Sequence, residues 1–333
     1  MEIVKGIYQF KVPLPGPGLD HVNAYLVEGT TGNLLIDTGW NTPEAFTTLK
    51  QELLSNGFQL KDITYIAVTH MHPDHYGLAG RIKEVSGATV AMSQNEATMI
   101  DQRYVHVTDL LDSVTHFLEA NGIPKTDLAQ LSSASMPALD FVVPIQPDIL
   151  LNQESIIQME PFEFKVVITP GHSPGHICFY EPHKRYLFTG DHVLPDISPH
   201  VGLHPQSGQN PLGDYLNSLV ALHQLDVSFV FPGHGGVFSG LPAKIDGLLS
   251  HHKEREREIL KSISNGEKTA YQIAQEILWM PTGEPIEFKK LPPIDKRLAI
   301  LETLAHLQYT IVEGKVSKNT RDKINYYESL IMV

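Results

Sequence analysis

The chain has 333 residues, 42% hydrophobic and 19% charged, with a formal net charge of −13. That is the composition of an ordinary globular protein of one large or two smaller domains, with no collagen-like or low-complexity character. It offers no basic surface for a polyanion, no apolar run long enough for a membrane span, and no signal-peptide core behind Met1-Glu2-Ile3. Its single cysteine, Cys178, excludes an internal disulfide and suits a reducing cytoplasm.

In chain order, short β-branched runs at 3–12, 22–28 and 33–37 read as strands, with a Gly29-Thr30-Thr31-Gly32 turn between the last two. Ala45, Leu49 and Leu53 place an amphipathic helix over 43–56. A buried strand over 63–69 then runs directly into His70-Met71-His72-Pro73-Asp74-His75. Imidazoles and carboxylates at this spacing are ligands for borderline divalent metals. One histidine at a strand end is usually an ordinary polar residue, but four such groups within six residues are not. A helix over 77–86 and a strand over 88–92 follow.

Residues 95–150 interrupt the pattern with a largely helical segment, a Gly122–Pro124 break and a Ser-rich stretch. This is an insertion, and insertions beside a site serve as a lid, as a substrate wall or simply as packing. Strands resume at 155–158, 164–169, 176–180, 185–189 and 227–231. Three of them end on further ligand types: His172 in Pro170-Gly171-His172-Ser173-Pro174-Gly175-His176, Asp191 after Thr189-Gly190, and His234 in Pro232-Gly233-His234-Gly235. Helices over 245–262, 269–278 and 295–313 and a hairpin over 315–329 close the chain in the order of a winged helix. Composition changes near residue 250: residues 1–250 carry 12 Lys+Arg against 26 Asp+Glu, residues 251–333 carry 13 against 12. Two domains, 1–250 and 251–333, are expected.

The succession HxHxDH, PGHSPGH, TGD and PGH resembles the metallo-β-lactamase superfamily over residues 1–250. Asn23–Val27 and Leu34–Gly39 match its early strands as well. The resemblance implies an α/β fold, an αββα sandwich, here with a helical insertion and a winged-helix-like C-terminal domain. It implies that His70, His72 and His172 hold one metal, that Asp74, His75 and His234 hold a second, and that Asp191 bridges them. Asp37 would orient the ligand loop, and His176 would support the site without ligating. Two divalent ions are expected, zinc first, with manganese or iron as alternatives. Asp74 and Asp191 are the catalytic candidates.

An aspartate at the bridging position speaks against lactam hydrolysis. The tyrosine that quorum-quenching lactonases carry shortly after it is absent from His192-Val193-Leu194-Pro195. The ligand set is similar to that of hydroxyacylglutathione hydrolases, and the C-terminal region resembles the β-lactamase-like protein 2 group, some of whose members cut RNA. The expected activity is hydrolysis of a small thioester or ester by a hydroxide shared between two metals about 3.5–4 Å apart. Phosphodiester cleavage of RNA and oxidation at a single iron, as in persulfide dioxygenases, are the alternatives. A small-molecule substrate is the expected partner, with self-association through the C-terminal domain a further expectation. Along residues 251–261, Lys253, Arg255, Arg257 and Lys261 alternate with Glu254, Glu256 and Glu258, which reads as a solvated helix face. Tyr104, His106, Phe117, His200 and His204 are candidates for the substrate wall, and the Leu298, Leu301, Leu304, Leu307 stripe reads as core.

Overall fold

Glycine at position 6 sets the first departure from the expected strand over 3–12. With φ +80°, it turns the chain and splits the run into β1 (Glu2–Val4) and β2 (Ile7–Pro13), which pair antiparallel. The computed structural model describes residues 1–15, 18–280 and 284–331. The chain continues with β3 (His21–Glu28), β4 (Asn33–Ile36), α1 (Pro43–Ser55), β5 (Ile63–Ala67), α2 (Pro73–Tyr76), α3 (Ala79–Ser86) and β6 (Thr89–Ser93). The insertion supplies α4 (Gln94–Ile100), α5 (Val107–Ala120), α6 (Lys125–Ser133) and β7 (Ile149–Leu151). These seven strands form one sheet in chain order, antiparallel from β1 to β4 and parallel from β4 to β7.

The second sheet holds β8 (Ile156–Met159), β9 (Phe162–Ile168), β10 (Ile177–Glu181), β11 (Tyr186–Gly190) and β12 (Phe229–Pro232), the last pair parallel. Side chains alternate between sheet faces, so a strand covered on both sides must be apolar throughout. In β3, Tyr25 and Val27 point between the sheets, where they meet Phe164, Phe179, Phe188 and Phe231. Val22, Ala24 and Leu26 point the other way, onto Ala45, Leu49 and Leu53 of α1. On the far side, Cys178, Leu187 and Val230 pack under α7 (Pro211–Leu222) and the start of α8 (Leu241–Ser262). Helices, sheet, sheet and helices thus stack as four layers, the expected αββα sandwich. Cys178 is fully buried, and that burial pushes its thiol up to about 12, so it is inert packing.

Helix α8 runs through residue 250 without a break. Leu241 and Ile245 belong to the sandwich, while Ile259 and Leu260 belong to a separate core. That core is filled by α9 (Ala270–Glu276), the short β13 (Leu278–Trp279), α10 (Pro293–Val312) and β15 (Val316–Arg321) with β16 (Ile324–Ser329). β13 pairs with β14 (Ile286–Glu287), and β15 with β16. Leu110, Val114 and Leu118 of α5 and Leu131 of α6 lie in the same core. The insertion therefore packs with the C-terminal segment across the mouth of the sandwich. Its helical stretch is not continuous, since a π-type turn at Asp101–Val105 separates α4 from α5. No described helix is long and apolar enough to cross a membrane.

Candidate metal centre

Strand β5 lies between β4 and β6, and its C-terminal end delivers Thr69–His72 as an extended loop. His72 caps α2, whose first residue is Pro73, so the backbone turns helical there. This change of geometry explains the motif's spacing. His70 and His72 project from the loop to one point, while Asp74 and His75 are carried by the helical turn to a second. His172, Asp191 and His234 arrive on the loops after β9, β11 and β12. Gly233 permits the last approach, because a Cβ there would lie 2.7 Å from His75 Cε1.

All seven expected side chains come together, in two groups. Ligand atoms of His70, His72 and His172 lie within 4.8 Å of one another, as do those of Asp74, His75, Asp191 and His234. In the first group, His172 Nε2 is 2.9 Å from His72 Nδ1 and 3.2 Å from His70 Nε2. In the second, His75 Nε2 is 3.3 Å from Asp191 Oδ1, and His234 Nε2 is 3.2 Å from Asp74 Oδ2. Asp191 Oδ2 lies 3.4 Å from His234 Nε2 and 3.8 Å from His172 Nε2, between the groups.

The outer ring nitrogens fix the tautomers. His172 Nδ1 donates to His200 O and His234 Nδ1 to His21 O, each at 2.8 Å, and His75 Nδ1 donates to Asp37 Oδ2 at 2.8 Å. The Thr69 hydroxyl donates to Asp37 Oδ2 at 2.9 Å, which leaves its oxygen to accept from His70 Nδ1 at 3.0 Å. Each of these four imidazoles therefore turns an Nε2 lone pair inward. His75 Nε2, His234 Nε2 and Asp191 Oδ1 are buried and have no hydrogen-bond partner. Buried orphan acceptors aimed at one another are what a cation-binding cluster presents, so this donor set fits two divalent metals.

Electrostatics divides the groups in the same way. Burial, then the neighbouring imidazoles, holds His70 well below its ordinary value, and burial and His172 do the same to His72. Burial also opposes charge on His75 and His234, but Asp191 and the other carboxylates outweigh it. His75 is raised well above its usual range, and His234 to about 10. Against its own burial, Asp191 is held well below the carboxylate range by His234 and His75. The first group is neutral nitrogen, whereas the second gathers two carboxylates, Asp74 and Asp191, whose negative charge draws positive charge to it.

Supporting residues extend further than the sequence suggested. Asp37 has the orienting place expected of it, and also accepts the Thr69 N–H at 2.8 Å. Buried Glu96 was not anticipated. It accepts from Met71 N at 2.8 Å, Ser173 Oγ at 2.8 Å and Gly175 N at 2.7 Å, tying the His70–His72 loop to the His172 loop. Ser93-x-x-Glu96 has the form of a capping box, and Ser93 does cap α4, but the glutamate reaches past the helix to both loops. Tyr104 donates to Met71 O. His176 donates to or accepts from Thr169 Oγ1 at 2.8 Å beneath the site and belongs to neither group.

Among the wall candidates, His200 and His204 line the cavity next to His72, Asp74 and His172. His106 is exposed at the start of α5, and Phe117 packs into the C-terminal core. Leu301, Leu304 and Leu307 are core as expected, while Leu298 and Leu301 also face the cavity. Arg103 and Arg297, which the sequence did not single out, line it too.

A model described as the metallo-beta-lactamase superfamily matches residues 17–234. A probable metallo-hydrolase, YqjP, of Bacillus subtilis is 28% identical over 97% of this chain and 98% of its own length. An atrochrysone carboxyl ACP thioesterase of Emericella nidulans is 26% identical over 90% of this chain and 77% of its own. Among solved structures, a metallo-beta-lactamase family protein of Thermus thermophilus superimposes with a TM-score of 0.83. It is 29% identical and covers 98% of this chain and 99% of that one.

Proposed function

The chain belongs to the metallo-β-lactamase superfamily, and we propose that it is a metallo-hydrolase acting on a small thioester or ester. The observation that carries this reading is Asp191, whose two oxygens face ligand atoms of both histidine groups across 3.3 to 3.8 Å. A carboxylate so placed suits a pair of divalent ions, His70, His72 and His172 holding one and Asp74, His75 and His234 the other. Bound there, the ions would lower the pKa of water and polarise a carbonyl.

The chain's own groups supply the rest. Asp37, Thr69 and the carbonyls of His21 and His200 hold four imidazoles in the ligating tautomer. Asp74 stays ionised because His75 and His234 outweigh its burial, so besides holding an ion it would accept a hydrogen bond that orients the attacking water. Leu110, Val114, Leu298 and Leu301 make an apolar wall that limits water around the acyl group. A thiolate departs without a general acid. The thioesterase of Emericella nidulans supports acyl transfer to water on this framework.

An RNA-cleaving role finds little support in α8, where Arg257 pairs with Glu254 at 2.8 Å and Arg255 with Glu258 at 2.6 Å. Seven candidate ligand side chains in two groups exceed what a single iron centre needs. The test is metal-loaded protein assayed against thioesters, lactones, phosphodiesters and RNA. Thioester or ester turnover abolished in His72→Ala is expected. RNA cleavage abolished by the same variant, with no thioester turnover, overturns the reading.

A further inference from the structure

Two buried arginines of this chain make an instructive pair. Arg255 is 5% exposed and is matched by carboxylates, Glu258 at 2.6 Å and Glu302 at 3.4 Å, with the Trp279 ring 4.5 Å from its guanidinium carbon. Arg297 is 8% exposed, yet its contacts are neutral: Ser132 O at 3.1 Å and Ser135 Oγ at 2.7 Å. Among the described residues, no carboxylate lies within ion-pair distance of it. Arg103 is half-buried and, among the described residues, also has no carboxylate within ion-pair distance; one nitrogen is 3.3 Å from Gln206 Oε1 and its buried Nε has no partner. A buried guanidinium without an anion is costly, and its flat fork is shaped for a carboxylate or phosphate.

Both arginines line the cavity of about 190 Å³ that opens beside His72, Asp74 and His172. Asp74 is the one carboxylate among the described residues of its wall, and it is a candidate metal ligand. The remainder of the wall is apolar or neutral. His200 and His204 complete it on the side of the metal centre. Arg103 comes from the acidic residues 1–250, which carry 26 acids against 12 bases, and Arg297 from the nearly balanced residues 251–333, so two segments each bring one unmatched cation to the same cavity. The cavity is smaller than the roughly 300–1,000 Å³ usual for drug-sized ligands, so it accommodates a short group.

We infer that Arg103 and Arg297 form an anion subsite, and that the substrate is an acyl thioester or ester carrying a carboxylate or phosphate a short apolar span from the bond cleaved. This rests on the hydrolase reading for the bond, but the anion subsite can be tested without turnover.

The first experiment titrates glutarate and butyrate into the metal-loaded protein by calorimetry. Glutarate is expected to bind at least ten-fold more tightly. That preference is expected to shrink toward unity in Arg103→Gln and Arg297→Gln and to return in Arg297→Lys. Equal affinities in the wild type, or a preference that survives both glutamine variants, overturns the subsite. Arg103 is partly exposed, so its variant remains informative should Arg297→Gln fail to fold. The second experiment compares kcat/KM for N-acetylcysteamine thioesters of butyrate and glutarate, then for butyryl groups on N-acetylcysteamine and on 4′-phosphopantetheine. A ten-fold or greater advantage of the anionic member in the first pair places the anion on the acyl group, and in the second pair on the thiol. No advantage in either pair overturns the inference. Glutarate binding that depends on the arginines, with no thioester cleaved, would sink the hydrolase reading and leave the subsite standing.

Discussion

The seven candidate ligands sit on four short loops at strand ends, whereas the wall facing them takes Leu110 and Val114 from α5 and Leu298 and Leu301 from α10. The loops are held by hydrogen bonds: Asp37, Glu96, Thr69 and two carbonyls each fix a ligand or its backbone. The wall is held by apolar packing between segments far apart in the chain. A rigid polar frame tolerates little displacement, while a wall made of side-chain volume can be reshaped without disturbing it. The candidate metal centre and the cavity wall are thus built on separate supports in this molecule.

Variants can break that separation. The largest effect is expected for Asp191→Ala, which removes the group set between the two histidine clusters. Metal content should fall and hydrolysis drop by roughly 10³-fold, the equivalent of several kcal/mol of charge stabilisation. Full metal content with retained turnover would show that Asp191 is not part of the centre. Next comes Glu96→Ala, which strands the Met71 and Gly175 N–H groups and the Ser173 hydroxyl. Loss of an outer partner of this kind typically lowers metal affinity about 10–100-fold. A competition assay with a chelator measures it, and an unchanged affinity would mean the loops hold themselves.

On the wall side, Leu118→Ala empties a fully buried place in the shared core and should lower stability by about 3 kcal/mol with metal content intact. Denaturation and metal analysis of one preparation decide this, and loss of metal would join the two supports. A smaller effect is expected with pH. Burial, with His251 and Arg255, lowers His252 to about 3, so the unfolded chain takes up a proton near pH 6.5 that the folded one refuses. Stability from this group is complete above pH 6.5 and declines as pH falls. Wild type should lose about 2 kcal/mol more than His252→Gln between pH 7 and 5. Equal losses in urea titrations would remove His252 as the cause. The smallest effect belongs to Arg257→Ala, an exposed pair whose loss should change stability by under about 0.5 kcal/mol.

The same division governs what could be read from the sequence. Ligands at strand ends leave short local signatures, so His70 through His75, His172, Asp191 and His234 were all legible as one chemistry. The layered sandwich followed from strand runs whose alternation is set by the backbone itself. The pairing of α6 with α10 was not legible, because an amphipathic helix records that it has a partner and not which one. For the same reason nothing set Arg297 apart from any other charge on a helix. Glu96 was hidden by its place at a helix start, where an acid has an ordinary explanation in capping. β7 escaped notice because Ile149–Leu151 gains its strand character only by joining β6.

One clasp between distant segments has a consequence for how the protein comes to exist. Asn23 Nδ2 donates to Pro232 O and Gly235 O at 2.9 Å, Tyr25 Oη donates to Pro232 O at 2.8 Å, and the Asn23 N–H donates to Gly233 O at 2.7 Å. The loop carrying His234 is thereby seated on β3, among the first strands synthesised. Contacts of such sequence separation form late, after the loop entropy between them has been overcome. A nascent chain can assemble the three-histidine cluster once His172 has emerged, but the second cluster waits for residue 234. The second cluster is therefore completed only as the polypeptide's two halves close on each other.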